Sequence, residues 1–191
     1  MKVTTSFEIW AQLMLSAKDC ELIREFFLKE IGINPKLVIR NLHLTVYHAR
    51  RPMPGLMPTI RNINLVLPAT DTRYMVLAPG GENPRPELDP RNHKVGIRIK
   101  RSSPIIANIR NFRNELLTYE TKTVLGKRSA SSNKRNAFGS RYFQPHIALL
   151  RSGCNIDRDL TRIGTLFRER IGELTFDKFI IDVVPAKPTF K

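Results

Sequence analysis

The 191 residues suffice to bury a good hydrophobic core as one domain, or as one domain of two lobes. The chain has two cysteines and no run approaching ~20 apolar residues, which argues against a disulfide framework, a thiolate zinc site and a membrane span. Lys and Arg total 32 against 17 Asp and Glu, and the resulting charge of +15 favours a polyanionic partner, since its field concentrates phosphate groups at the surface.

The first half of the chain predicts a strand, an amphipathic helix and three further strands, at residues 7–15, 18–31, 37–49, 60–67 and 74–78. Apolar residues recur at helical spacing from Leu22 to Ile31, with Ser16 as a suitable N-cap and Gly32 as a suitable end. Residues 1–7 lack the apolar segment of a secretory signal, so a cytoplasmic location is expected.

The second half follows a Pro- and Gly-rich segment, residues 79–92, which we interpret as a surface loop at the seam between two lobes. It predicts a strand, a helix, a basic loop, a second histidine strand, a helix and a last strand, at residues 93–100, 105–120, 126–141, 144–150, 157–171 and 174–184. Pro104 suits the first turn of the first of these helices, with Ser102 or Ser103 as its cap. Because the two halves repeat a similar order of elements, the sequence predicts a single α+β domain with internal pseudo-symmetry.

The basic loop, residues 126–141, carries five basic residues, no acid and one large apolar residue, Phe138. Two interpretations remain open for this flexible loop: a solvated, disordered insertion, or a flap that grips phosphate. The second interpretation rests on Arg141 and Tyr142, which precede His146 by only a few positions.

Two predicted strands each present a histidine, with an aliphatic stripe on the opposite face that anchors the strand in a core. Alternate residues of a strand point to opposite faces, so His43, Thr45 and Tyr47 are expected to share one face of the first strand. By the same alternation, His146 and Ala148 share a face of the second strand. The pair of histidines in matched contexts indicates a functional site more strongly than either histidine alone.

Residues 143–151, together with His43 and Thr45, resemble the signature of the two-histidine (2H) phosphoesterases. That signature is a hydrophobic residue, His, any residue and then Thr or Ser, and it occurs twice. The group includes 2′-5′ RNA ligase-like proteins and RNA 2′,3′-cyclic phosphodiesterases. The resemblance covers most of the chain apart from residues 79–92 and 126–141, and it implies two lobes of antiparallel sheet with flanking helices around a central groove.

The resemblance also implies a chemistry that needs no metal or other cofactor. Histidine exchanges protons near pH 7, so His43 and His146 would serve the attacking and the leaving oxygen of a phosphodiester. Thr45 would donate to a non-bridging oxygen, whereas Ala148 departs from the motif and lacks this donor. The groups that could replace it are a backbone amide of the basic loop or the side chains of Arg141, Tyr142 and Ser152.

Three more residues of the first two strands have weaker functional signals. Trp10, the only tryptophan, could stack a base, although core packing is favoured. Tyr47 is expected in the core or directly behind the site. Strict alternation places His48 on the face opposite His43, which argues against a zinc site formed by these two histidines.

The expected function is a phosphodiesterase that acts as a monomer on RNA or a ribonucleotide with a 2′,3′-cyclic phosphate, a 2′-5′ linkage or a cyclic oligonucleotide linkage. Arg outnumbers Lys, and its bidentate contacts with phosphate favour RNA as the partner. One alternative is a non-catalytic RNA-binding module that retains the groove, which suits Ala148 and the high charge. The other is an interaction protein for an acidic partner, which would leave the paired histidines unexplained.

Overall fold

A computed structural model describes residues 7–49, 53–77, 94–122, 143–151 and 160–185, and these residues form a mixed α+β fold. Seven strands make one antiparallel sheet: β1 (Phe7–Leu15), β2 (His43–Ala49), β3 (Thr59–Pro68), β4 (Thr72–Leu77), β5 (Lys94–Ile99), β6 (His146–Leu150) and β7 (Glu173–Pro185). The α-helices of the described residues are α1 (Ala17–Glu25), α2 (Ile105–Glu120) and α3 (Leu160–Ile171). None of the helices in these ranges is long and apolar enough to cross a membrane.

The strands are ordered β3-β7-β1-β2-β6-β5-β4, so the last strand of the described chain lies between β3 and β1. β1 pairs with β7 along its whole length, whereas β2 and β6 meet through one registered pair, Leu44 and Ile147. The two histidine strands are therefore neighbours at the centre of the sheet. They join a group of four strands to a group of three.

One face of the sheet is buried beneath the helices, and we call it the helix face. Alternate residues of β1 on this face, such as Ile9 and Leu13, have no solvent exposure. On α2, Phe112 packs against Phe179 of β7 with ring centroids 4.6 Å apart. On α3, Phe167 contacts Tyr74 of β4 at 6.3 Å. Burial of this face fixes which residues point to the opposite face, which we call the site face.

The start and end of α1 agree with the sequence prediction. The hydroxyl of Ser16 accepts a hydrogen bond from the backbone of Asp19 and donates one to the Asp19 carboxylate at 2.8 Å. The same carboxylate accepts the backbone N–H of Thr175 at 2.7 Å, which ties the helix to β7. The helix continues as a π-helical segment, Phe26–Ile31, and Gly32 ends it with a φ of 76°.

The cap predicted for α2 is wrong. The helix begins after Pro104, which has no side-chain capping bond. The hydroxyl of Ser103 instead donates to Asp71 at 2.6 Å, a contact between residues 32 positions apart that local sequence patterns cannot reveal. Ser102 is exposed.

One strand boundary also differs from the sequence prediction. The first histidine strand is shorter than predicted, since β2 begins at His43 and only Val38 of the preceding segment forms an isolated bridge, to Leu150. Residues 79–92 lie outside the described residues, but β4 and β5 on either side of them pair with each other. The interpretation of this segment as a seam between two lobes stays a prediction.

Candidate functional site

A β-bulge in β2 decides which of its residues reach the site face. Ala11 of β1 pairs with Tyr47 and the next residue, Gln12, pairs with Thr45, so Val46 is an extra residue in β2. Val46 and Tyr47 are both fully buried, and the alternation changes phase after them. His43 and Thr45 precede the bulge and are half-buried on the site face, as predicted.

The same bulge overturns two predictions that assumed strict alternation. Tyr47 lies in the core, where its hydroxyl donates to the sulfur of Met53 at 3.5 Å, and it does not share the face of His43. His48 returns to the site face instead, paired across the strands with Trp10. The two rings stack with centroids 3.7 Å apart, so Trp10 is half-buried on the site face and not in the core.

The strand pairing aligns site-face residues into two rows that run across the sheet. Leu44 pairs with Ile147, so one step along the antiparallel strands brings Thr45 opposite His146. His146 pairs with Arg98 of β5, and Arg98 pairs with Arg73 of β4. Directly opposed residues share a face of the sheet. We call these four residues the His146 row.

The second row contains the other histidine and small or apolar neighbours. One step in the opposite direction from Leu44 brings His43 opposite Ala148, which pairs with Gly96. On the other side, His43 pairs with Met14 of β1. We call these residues the His43 row. Each histidine therefore lies opposite the second motif position of the other strand, Ala148 for His43 and Thr45 for His146.

Both histidine rings are held in the same way by their own strands. Nδ1 of His43 is 3.0 Å from the carbonyl oxygen of Asn41, and Nδ1 of His146 is 3.0 Å from the carbonyl oxygen of Gln144. A carbonyl oxygen only accepts, so these contacts assign the proton to Nδ1 in each ring. Nε2 is then the nitrogen of each ring that gains or loses a proton.

The surroundings of His146 lower its pKa below the usual value for histidine. Burial against protein atoms is the largest cause, and the Gln144 carbonyl opposes it by stabilising the imidazolium. The positive charges of Arg98, Lys94 and His43 lower the pKa further. Part of His146 is nevertheless exposed to solvent. His146 is therefore neutral at pH 7 and able to accept a proton, and it lies close enough to His43 to be affected by its charge.

Two cavities are lined by neighbours of the histidines, and neither described lining includes a histidine itself. The one on the His43 side has a volume of about 620 Å³, and its lining includes Met14 and Asn41 together with residues of both charges. The one on the His146 side has a volume of about 250 Å³. We call the second one the arginine cavity, and its described lining residues are Arg73, Arg98, Ile99, Lys100, Arg101, Gln144 and Pro145.

The arginines of this cavity were not identified from the sequence. The alternation of β5 buries Val95, Ile97 and Ile99, which assigns Arg98 to the other face. The sequence does not show that β5 lies beside the second histidine strand, because the paired residues, such as Ile97 and Ile147, lie 50 positions apart (147 − 97). The functional signal of Arg98 depends on that pairing.

Several predicted site residues cannot be placed. Arg141, Tyr142, Ser152 and the basic loop 126–141 lie outside the described residues. Within the described ranges, no group of three or more His, Cys, Asp and Glu side chains is arranged to hold a metal ion. On the site face, the two rows bring together His43, His146, Thr45, Arg98 and Arg73. His48 lies on the same face further along β2.

This arrangement can bind an anion and move protons at it. Two imidazoles lie on the same face of adjacent strands, and guanidinium groups continue the row beyond His146. A scan against models of known protein families finds no match to this chain, and a search of curated proteins finds none either.

Proposed function

We propose that the protein is a 2H-type phosphodiesterase that cleaves a ribonucleotide phosphodiester by proton transfer between His43 and His146. The observation that carries the proposal is the cross-strand arrangement of the two histidines. They lie on the same face of neighbouring strands, one residue to either side of the Leu44–Ile147 pair, with the same Nδ1 contact. Two histidines arranged in this way could act as proton carriers on opposite sides of one small group, which supports the proposal.

The lowered pKa of His146 supports its role as the general base. Nε2 of His146 accepts a proton from the attacking water as the water oxygen bonds to phosphorus. The bond between phosphorus and the ribose oxygen breaks, and Nε2 of protonated His43 donates its proton to that oxygen. Exchange with solvent then returns both rings to their starting states. Each proton carrier is expected to contribute roughly 10²–10⁴-fold to the rate.

The two rows would contribute unequally to transition-state stabilisation. On the His146 side, the Thr45 hydroxyl and the Arg98 guanidinium can donate to non-bridging oxygens. On the His43 side, Ala148 and Gly96 offer no side-chain donor. The missing hydroxyl at Ala148 is therefore not replaced by the described strand residues of its own row.

The fold supports the same proposal at a coarser level. β2 is the last strand of the four-stranded group, and its neighbour β6 is the first strand of the three-stranded group. A junction of this kind suits the two lobes around a central groove that the 2H resemblance implies. A cytoplasmic location and a monomeric state remain predictions.

The second candidate function is a non-catalytic RNA-binding module. Ala148 favours it, because the missing donor would slow turnover, and so does the charge of +15. The stacked rings of Trp10 and His48 add a flat aromatic surface on the site face, of the kind that binds bases.

Turnover assays distinguish the two functions. We expect hydrolysis, in EDTA and without added metal, of at least one of three substrates: an oligoribonucleotide ending in a 2′,3′-cyclic phosphate, a 2′-5′ dinucleotide and a cyclic dinucleotide. His43→Ala should lose this activity, and imidazole in the buffer should restore part of it if the residue carries a proton.

Binding of these RNAs without turnover of any of them would establish the non-catalytic module. Loss of turnover in EDTA with recovery on addition of a divalent cation would identify a different mechanism.

A further inference from the structure

We propose that the arginine cavity binds a second phosphate of the substrate, so that the enzyme prefers an RNA strand or a nucleotide with an additional phosphate over a single cyclic nucleotide. The cavity lies on the side of His146 away from His43. The identity of the bond that is cleaved rests on the function proposed above. The binding of the second phosphate is a separate property of the cavity.

The charges of the cavity match a phosphate. Four of its described lining residues are cationic and none is acidic: Arg73, Arg98, Lys100 and Arg101. The ammonium of Lys100 donates to the carbonyl oxygen of Thr70 at 2.6 Å, and the other three cationic side chains are guanidinium groups. Guanidinium groups bind phosphate through paired, charge-assisted hydrogen bonds.

The arginines are placed where their charges repel each other. Arg73 and Arg98 are directly opposed on neighbouring strands, a position in which like charges destabilise a sheet. The pKa of Arg98 is lowered, first by burial and then by the charges of Arg73 and Arg101. Asp71, two residues before Arg73, accepts a hydrogen bond from Ser103 and is not among the lining residues. A phosphate bound in the cavity would be attracted by both of these cations, Arg73 and Arg98.

The position of the cavity fits a phosphate joined to the reacting one. Arg98 is directly opposite His146, and Arg73 is one strand further out. Neighbouring strands lie about 4.8 Å apart, so the row extends roughly 10 Å from β6 to β4. A phosphate separated from the reacting group by one ribose falls within this range.

Gln144 links the cavity to the catalytic histidine. Its carbonyl oxygen accepts a hydrogen bond from Nδ1 of His146 at 3.0 Å, and Gln144 is one of the residues that line the cavity. The buried side-chain oxygen of Gln144 has no hydrogen-bond partner within the described part of the chain. This amide is therefore suited to a ribose hydroxyl or a base edge between the two phosphates.

The cavity on the His43 side is a poorer phosphate site. Its lining combines Arg24, Arg40 and Lys178 with Glu21 and Asp177. Arg24 is already paired with Glu21 at 3.0 Å. Because only the arginine cavity is lined by cationic residues without acidic ones, we expect the additional phosphate to bind there. The cavity on the His43 side suits a group of lower charge.

The test compares the affinities of adenosine 3′,5′-bisphosphate and adenosine 3′-monophosphate by calorimetry, so it needs no turnover. We expect the bisphosphate to bind at least tenfold more tightly to the wild-type protein. Arg73→Gln should remove most of that advantage, because about tenfold or more is the usual effect of losing a hydrogen bond to a charged group. Arg110→Gln on α2 removes the same charge outside the cavity and should preserve the advantage.

Arg98→Lys is the second test variant, since it keeps the charge but loses the bidentate geometry, and it should reduce the advantage by a smaller factor. An equal preference for the bisphosphate in Arg73→Gln and Arg110→Gln, or no preference in the wild-type protein, would overturn the inference. His146→Ala separates the two proposals. If it retains full turnover, the proposed chemistry fails, whereas the arginine cavity is judged only by the bisphosphate preference.

Discussion

The two histidine strands are alike in their backbone geometry and different in their surroundings. In both, Nδ1 of the histidine lies 3.0 Å from the carbonyl oxygen two residues earlier. His146, however, lies beside Arg98, whereas His43 lies between Met14 and Ala148. The comparison shows that the strand motif orients the ring, while neighbouring strands determine its charge environment. Under the proposed mechanism, the repeated motif would therefore supply two different roles in proton transfer.

Removal of either histidine should have the largest effect. His43→Ala and His146→Ala are each expected to lower kcat by at least a hundredfold, and the double variant should lose little more, because the two rings act on one reaction. Single-turnover rates measure this, with circular dichroism as the control for folding. Full activity in either single variant would exclude the mechanism.

Gly96→Ala should disrupt the pairing between β5 and the His146 strand through the backbone. A Cβ at Gly96 would clash with the backbone carbonyl oxygen of Ile147, so β5 and β6 would have to separate. Overpacking of this kind costs typically 1–3 kcal/mol, and urea unfolding should show a loss in this range or above. Ala107→Gly on the exposed surface of α2 is a comparison substitution that should cost at most about 1 kcal/mol. Wild-type stability in Gly96→Ala would mean that the two strands are not held this closely.

Ala148→Thr should make the two rows more alike. The new hydroxyl would lie opposite His43, where the described strand residues offer no donor, and kcat should rise by up to about tenfold. Ala148→Val is the matched control, because it adds similar volume without a hydroxyl. A rate that does not rise in the threonine variant would show that another group already serves this position.

The smallest expected effect is on the proton affinity of His146. Removal of the neighbouring positive charge in Arg98→Gln should raise the pKa of His146 toward its usual value, because the imidazolium would lose a repulsive partner. NMR titration of the imidazole protons measures the change, and the acid limb of kcat/KM should move to higher pH in parallel. An unchanged pKa would mean that the charge of Arg98 does not contribute to the proton affinity of His146.

The same shift predicts how stability depends on pH. Folding lowers the pKa of His146, so the unfolded chain binds the proton more tightly. Stability should therefore fall as the pH decreases below about 6.5, and it should fall less steeply in Arg98→Gln.

Local features of the fold were predictable from sequence because their causes are local. Ser16 and Gly32 mark the ends of one helical region through capping and a left-handed residue. Alternation was sufficient to place His43 with Thr45 and His146 with Ala148, since the residues between them are buried. The features that sequence reasoning missed depend on distant partners. The bulge at Val46 depends on the register with β1, and the role of Arg98 depends on the pairing of β5 with β6.

The bulge at Val46 makes the register of β2 as consequential as its composition. If the strand were straightened with Val46 retained, strict alternation would turn the hydroxyl of Tyr47 toward the site and the imidazole of His48 toward the core, where a polar ring needs a partner. Deletion of Val46, by contrast, would make Thr45 and Tyr47 consecutive residues opposite Gln12 and Ala11, so Tyr47 would stay in the core and His48 would stay on the site face. The side chains of β2 that flank the motif residues therefore depend on the bulge and not on the motif itself.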